Sequence, residues 1–167
     1  MSFPKRRPAA WVASVFCLLI AGCATDNLDD PVLGRLEPVG GIPQTTELIT
    51  RPNAGGGVLV GTIAGGGGQN VVGISASETD RLIGALGATL KNWDGYVDGR
   101  PFREMIHFGA MGTGRANPFT LELMKTPAMS KPQFVVTLGL SGGLARFYFD
   151  RANARRWGVR LAEAAGY

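Results

Sequence analysis

Cysteine and histidine are almost missing from this 167-residue chain, which has only Cys17, Cys23 and His107. Two thiols so close together near one end cannot frame a disulfide-stapled fold. One histidine without further thiols is a poor start for a zinc site. The longest apolar run, Ala9–Ala21, has 13 residues and is broken only by Ser14. That is short of the roughly 20 needed to cross a bilayer as a helix. Only 18% of residues are charged, and no block of like charge suggests a nucleic-acid arm.

The apolar run follows Lys5, Arg6 and Arg7 and ends in Leu19-Ile20-Ala21-Gly22-Cys23. A basic start, a short apolar stretch and small residues at its end are the pattern of a secretory signal. The cysteine placed directly after Ile-Ala-Gly resembles the lipobox of bacterial lipoproteins. The resemblance implies removal of residues 1–22, a diacylglyceryl thioether on Cys23, and acylation of the new amine by a fatty acid such as palmitate. The chemistry is apt, because a thiolate is a strong nucleophile and two or more acyl chains anchor firmly where one does not. In lipoproteins of this kind Asp after the cysteine favours the inner membrane. Ala24 therefore implies the outer membrane, facing the periplasm, in a Gram-negative cell.

Removing residues 1–22 changes the charge balance. Three of the 17 Lys and Arg residues leave with them, and 14 remain against 13 Asp and Glu, a net of +1. The basic pI is thus a property of the leader, and nucleic-acid binding loses its support. The remaining charge is uneven: residues 23–99 carry four basic and nine acidic side chains, and residues 100–167 carry ten and four.

Residues 23–44 hold Pro31, Pro38 and Pro43, several Gly and Asp, and no sustained apolar period. They predict a lipidated cysteine followed by a flexible tether, leaving 45–167 as a single domain. Gly55–Gly68 reads either as a short strand, Val58–Ile63, between loops, or as a glycine zipper on Gly57, Gly61 and Gly65. It is no phosphate cradle, because no Gly-Lys-Ser/Thr follows. Val71–Ile74 reads as a strand. Ser77 would cap a helix carrying Leu82, Ile83, Leu86 and Leu90 at helical spacing, which Asp94-Gly95 would end. Met105–Met111, Phe119–Met124, Phe134–Leu140 and Leu144–Phe149 read as strands of a meander. Asp150 would cap a last helix with Ala154, Trp157, Leu161 and Ala165 as its apolar stripe. The expected fold is α+β, a mostly antiparallel sheet with two amphipathic helices on one face. A strand followed by an amphipathic helix occurs twice, at Val71–Leu90 and at Arg146–Ala165.

Chemistry-bearing constellations are few. His107 has no nucleophile elbow among Ser75, Ser77, Ser130 and Ser141 to serve. Asp94, Asp98, Glu104 and Glu122 could supply a carboxylate pair for hydrolysis of cell-wall glycan or peptide. Asp94 and Asp98 also lie in an acidic, glycine-rich run that lacks the later ligands of a calcium loop. Arg151, Arg155, Arg156 and Arg160 share helical edges around Trp157. They would contact an anionic surface with Trp157 as interfacial anchor, unless Trp157 is core. Taken together, the residues predict a non-enzymatic, lipid-anchored accessory or scaffold of a cell-envelope complex, with no cofactor or metal. The alternatives are a tethered carboxylate hydrolase and a small-ligand or peptide-binding lipoprotein.

Overall fold

The computed structural model of the protein describes residues 27–38, 40–63, 69–108, 110–111, 119–140 and 143–167. Cys23 and the leader lie outside these residues, as do Gly65 of the zipper pattern and the side chain of His107. The strands are β1 (Leu33–Pro38), β2 (Gln44–Pro52), β3 (Val58–Ile63), β4 (Gln69–Ile74), β5 (Phe102–Phe108), β6 (Ala110–Met111), β7 (Phe119–Lys125), β8 (Gln133–Leu140) and β9 (Gly143–Phe149). The helices are α1 (Ala76–Lys91), α2 (Trp93–Asp98) and α3 (Arg151–Ala165).

All strand pairs are antiparallel, in the order β5-β7-β8-β9-β1-β2-β3-β4-β6. The two ends of that order are neighbours in sequence, since Phe108 closes β5 and Ala110 opens β6. One stretch therefore pairs first with β7 and then with β4, and the sheet curls round to meet itself. β2 makes the second corner: Gln44–Glu47 pair with β1, and Leu48–Pro52 pair with β3. Strands that change partners at a bend are how curled sheets turn corners. The chain thus runs twice through the same order, four strand positions and then a helix, with β4 leading into α1 and β9 into α3. The strand-then-helix echo in the sequence is the end of each half.

One face of the sheet carries Leu36, Leu48, Val58, Val60, Val72, Ile74, Leu121, Phe134, Val136 and Phe147, all buried in a single core with Leu82, Leu86, Trp157 and Leu161 of the helices. Trp93 stacks on Phe134 with ring centroids 5.6 Å apart, and Phe149 meets the edge of Trp157 at the same distance. Both long helices lie on this face, so the α+β expectation holds.

Local chemistry moves two boundaries and decides between two readings of a third segment. Ser75, not Ser77, caps α1: its hydroxyl accepts from the Glu78 amide at 3.4 Å. The α1 helix stops at Asn92, and Asp94-Gly95 fall inside the short α2. Val58–Ile63 is a strand with partners on both sides, which removes the helical zipper over this stretch.

The larger correction concerns the tether. Leu33–Pro38 is a strand in the middle of the sheet, between β9 and β2. Val32 and Leu36 are core residues. The folded unit therefore begins before residue 45, with Asn27 its first described residue. Gly34 shows why this strand reads as loop. A Cβ there would lie 2.4 Å from the Tyr148 carbonyl oxygen and 2.6 Å from the Phe147 ring. Glycine marks a close approach, not a flexible joint.

Candidate functional site

Two regions carry side chains that packing alone does not explain. The first is where the chain joins α3. Asp150 caps that helix, accepting from the Asn153 amide at 2.9 Å. Asn153 then accepts from the Leu33 amide at 3.0 Å and from Arg156 at 3.2 Å. Arg156 Nε donates to the Asn27 carbonyl at 3.0 Å, and its other end lies 3.7 Å from the Asp30 carboxylate. Arg160 donates to the Asp29 carbonyl at 2.7 Å and pairs with Glu163 at 3.4 Å. Arg151 lies 3.9 Å from Asp94 and over the Trp93 ring at 5.6 Å. Arg155 is buried in the helix. Two of the four arginines, Arg156 and Arg160, thus clamp the turn at Asn27–Asp30, and Arg151 turns instead to Asp94 and Trp93.

Trp157 is a core residue with no exposed surface, as its place in the apolar stripe of the last helix predicts, and its alternative reading as an interfacial anchor falls. Its indole N–H donates to the Thr50 hydroxyl at 3.1 Å. An apolar ring whose one polar atom is satisfied belongs inside.

The second region is the sheet face turned away from the helices, and its chemistry changes around the curl. On β5, β7, β8, β9 and β1 it is largely polar, with Val135, the exposed Leu144 and the exposed Leu33 as exceptions. Register sets Met105, Glu122, Val135, Tyr148 and Arg35 in one row, and His107, Thr120, Thr137, Arg146 and Glu37 in the next. Arg35 pairs with Glu37 at 2.8 Å and lies over the Tyr148 ring at 5.1 Å. Glu122 is 2% exposed. Both its oxygens accept from Arg103, the second at 3.2 Å. The fork-to-fork geometry answers the charge that burial would otherwise penalise. The Glu122 hydrogen bond, then its charge, raises the Arg103 guanidinium further above its already high pKa. The Thr120 hydroxyl beside it is buried without a partner among the described residues.

On β2, β3 and β4 the same face is mixed, with Glu47, Arg51 and Gln69 among Ile49, Leu59, Ile63 and Val71. Ile49, Gly61 and Val71 form one row and Arg51, Leu59 and Gly73 another, while Leu33 pairs with Glu47 and Ile63 with Gln69. Leu33, Ile63 and Val71 remain 46%, 41% and 41% exposed. Sequence reading missed this surface, although its signal is present: Val58-Leu59-Val60 is apolar at consecutive positions, as strands covered on both faces are.

The carboxylate candidates divide between the two faces of the β5–β7 ladder and the short helix α2. Glu104 pairs with Leu123 and Glu122 with Met105, which places the two acids on opposite faces of the ladder. Glu104 accepts from the Tyr96 hydroxyl at 3.2 Å. Burial, then the Glu104 charge, pushes the Tyr96 phenol above its usual pKa. The Asp94 side chain is 93% exposed, and Asp98 is exposed too. Lys125, from β7, donates to the Val97 carbonyl and to the Gly99 carbonyl at 3.1 Å, tying α2 to the sheet edge. Glu122, Glu104 and Lys125 are thus engaged in contacts that hold β5, β7 and α2 together.

Comparison with known protein families, with characterised proteins and with solved structures finds no match.

Proposed function

We propose that the protein is a lipid-anchored component of the bacterial cell envelope, held by acyl chains on Cys23 and acting as a non-enzymatic accessory or scaffold of a membrane complex. The observation that carries this reading is the position of Cys23. It follows Leu19-Ile20-Ala21-Gly22 directly and stands four residues before Asn27, where α3 takes hold of the chain. Four residues span at most about 14 Å, so a lipidated Cys23 keeps the domain against the bilayer. The accessory role is supported by where the polar groups are used: the α3 arginines and the Glu122–Arg103 pair are engaged within the molecule. Ala24 directs the anchor to the outer membrane, on the periplasmic side.

Metabolic labelling with radioactive palmitate tests the anchor. The natural chain takes up label and Cys23→Ser does not; equal label in both removes the reading.

A further inference from the structure

We propose that the outer face of β9 and its neighbours, where Arg35, Arg103 and Arg146 surround Tyr148, is the docking surface for an acidic segment of a partner protein. The proposal rests on the accessory reading of the protein and adds which surface meets the partner and what chemistry the partner brings.

Glu122 gives the reason for singling out this surface. It is buried, in a row where Met105 and Val135 stand on either side of it. Apolar side chains of similar volume often match or better the stability of a buried ion pair. Stability alone therefore does not call for a carboxylate there. What Glu122 supplies is a fixed guanidinium. Both its oxygens hold Arg103, yet the Arg103 side chain stays 54% exposed. Only two of the five N–H donors of that guanidinium are used by Glu122. Arg35 is held in a similar way, by Glu37 at 2.8 Å and against the Tyr148 ring at 5.1 Å, with its side chain 58% exposed. Arg146, opposite Glu37, is exposed and has no ionic partner among the described residues.

The three arginines share one neighbourhood. The Tyr148 phenol, under Arg35, also acts electrostatically on the Arg103 guanidinium. Glu122 and Tyr148 lie two strands apart in one row, about 10 Å, and Arg146 is about 7 Å from Tyr148 along β9. Charge then identifies the occupant. Every cation on the outer face of the described strands is an arginine: Arg35, Arg51, Arg103 and Arg146. Glu37 and Glu122 are taken up by two of them, and Glu47 stands apart on β2, opposite Leu33. A guanidinium fork matches a carboxylate two bonds at a time, and a fork already held in place loses little freedom on binding. Arginine and tyrosine without lysine, beside the exposed Leu144, have the composition of a protein interface. An anionic bilayer is met instead by clusters of about four to eight Lys and Arg, more than surround Tyr148.

Photo-crosslinking of the full chain in intact cells reads this face directly. Benzoylphenylalanine would replace Leu144 on the face and, as the contrast, Arg81 on α1. The proposal expects a protein adduct at 144 whose cross-linked peptide is rich in Asp and Glu, and no adduct with that peptide at 81. Arg103→Gln and Arg146→Gln should each lower the yield at 144 about tenfold, as loss of a charge-assisted bond does. Arg103→Lys should lower it as well, because lysine keeps the charge and loses the fork. Glu122→Gln should act like Arg103→Gln, since it frees the guanidinium without touching the partner. Arg81→Gln, the same change of charge on α1, should leave the yield as it is. A lipid adduct, a peptide poor in carboxylates, no adduct at 144, or equal loss with Arg81→Gln overturns the proposal. Melting curves verify that each variant is folded, and Arg146→Gln, at an exposed position, keeps the test open if Glu122→Gln does not fold. A chain that takes up no palmitate would remove the anchor and not this surface, so the two failures are told apart.

Discussion

Trp157 has no exposed surface and its one N–H is bonded to Thr50, so truncation leaves a cavity between α3, β2 and β9. Trp157→Ala should cost about 3–5 kcal/mol of stability, read as a lower midpoint in urea unfolding. An unchanged midpoint would mean the ring is not core. Gly34→Val should be comparably harmful, because its first side-chain atom would enter the Tyr148 carbonyl and the Phe147 ring. A melting curve would show it, and Gly40→Ala supplies a contrast: nothing lies near that position, and only its positive φ is strained. At this scale the sequence is half legible. The spacing of Ala154, Trp157 and Leu161 marks a buried stripe. The partners of Arg156 and Arg160 could not be read, because Asn27 and Asp29 lie 129 and 131 residues away.

Among the elements, β1 is the one that composition conceals. It has proline at one end, glycine within, and one core residue, Leu36, with Val32 just before it, too few to show a period. Its partners, β2 and β9, supply the order that its own sequence does not. Deleting residues 24–44 should therefore abolish cooperative melting, since it opens the sheet between β9 and β2; a curve like that of the intact protein would return the segment to the status of a tether. The clamp on this strand has its own signature. Arg156→Gln with Arg160→Gln removes charge-assisted bonds to the Asn27 and Asp29 carbonyls, each contributing roughly 1–2 kcal/mol. Amide exchange should rise most in residues 27–33 and little in β7 and β8. Uniform change across the chain would mean the clamp is not local. The strands β7 and β9 were legible because each alternates, and β8 because of its aromatic and β-branched run Phe134–Val136; each has its partner next in sequence.

For the molecule as a whole, the two halves share one order, four strand positions and a helix, yet differ in the face they turn outward. From β5 to β9 that face carries Arg103, Glu122, Thr137, Arg146 and Tyr148 with Leu144 exposed among them, and from β1 to β4 it mixes Leu33, Ile63 and Val71 with Arg35, Glu47 and Arg51. Charge on the chain follows the same division only loosely, because Arg156 and Arg160 of α3 are used against the acidic turn at Asn27–Asp30. The short interval from Cys23 to Asn27 is the feature that joins sequence to architecture, and the account depends on what that cysteine carries. The most direct measurement is the intact mass of the protein extracted from membranes. The account predicts a chain beginning at Cys23, with residues 1–22 gone and the added mass of a diacylglyceryl group and a further acyl chain. A chain that retains residues 1–22, or that begins elsewhere with an unmodified Cys23, would contradict it.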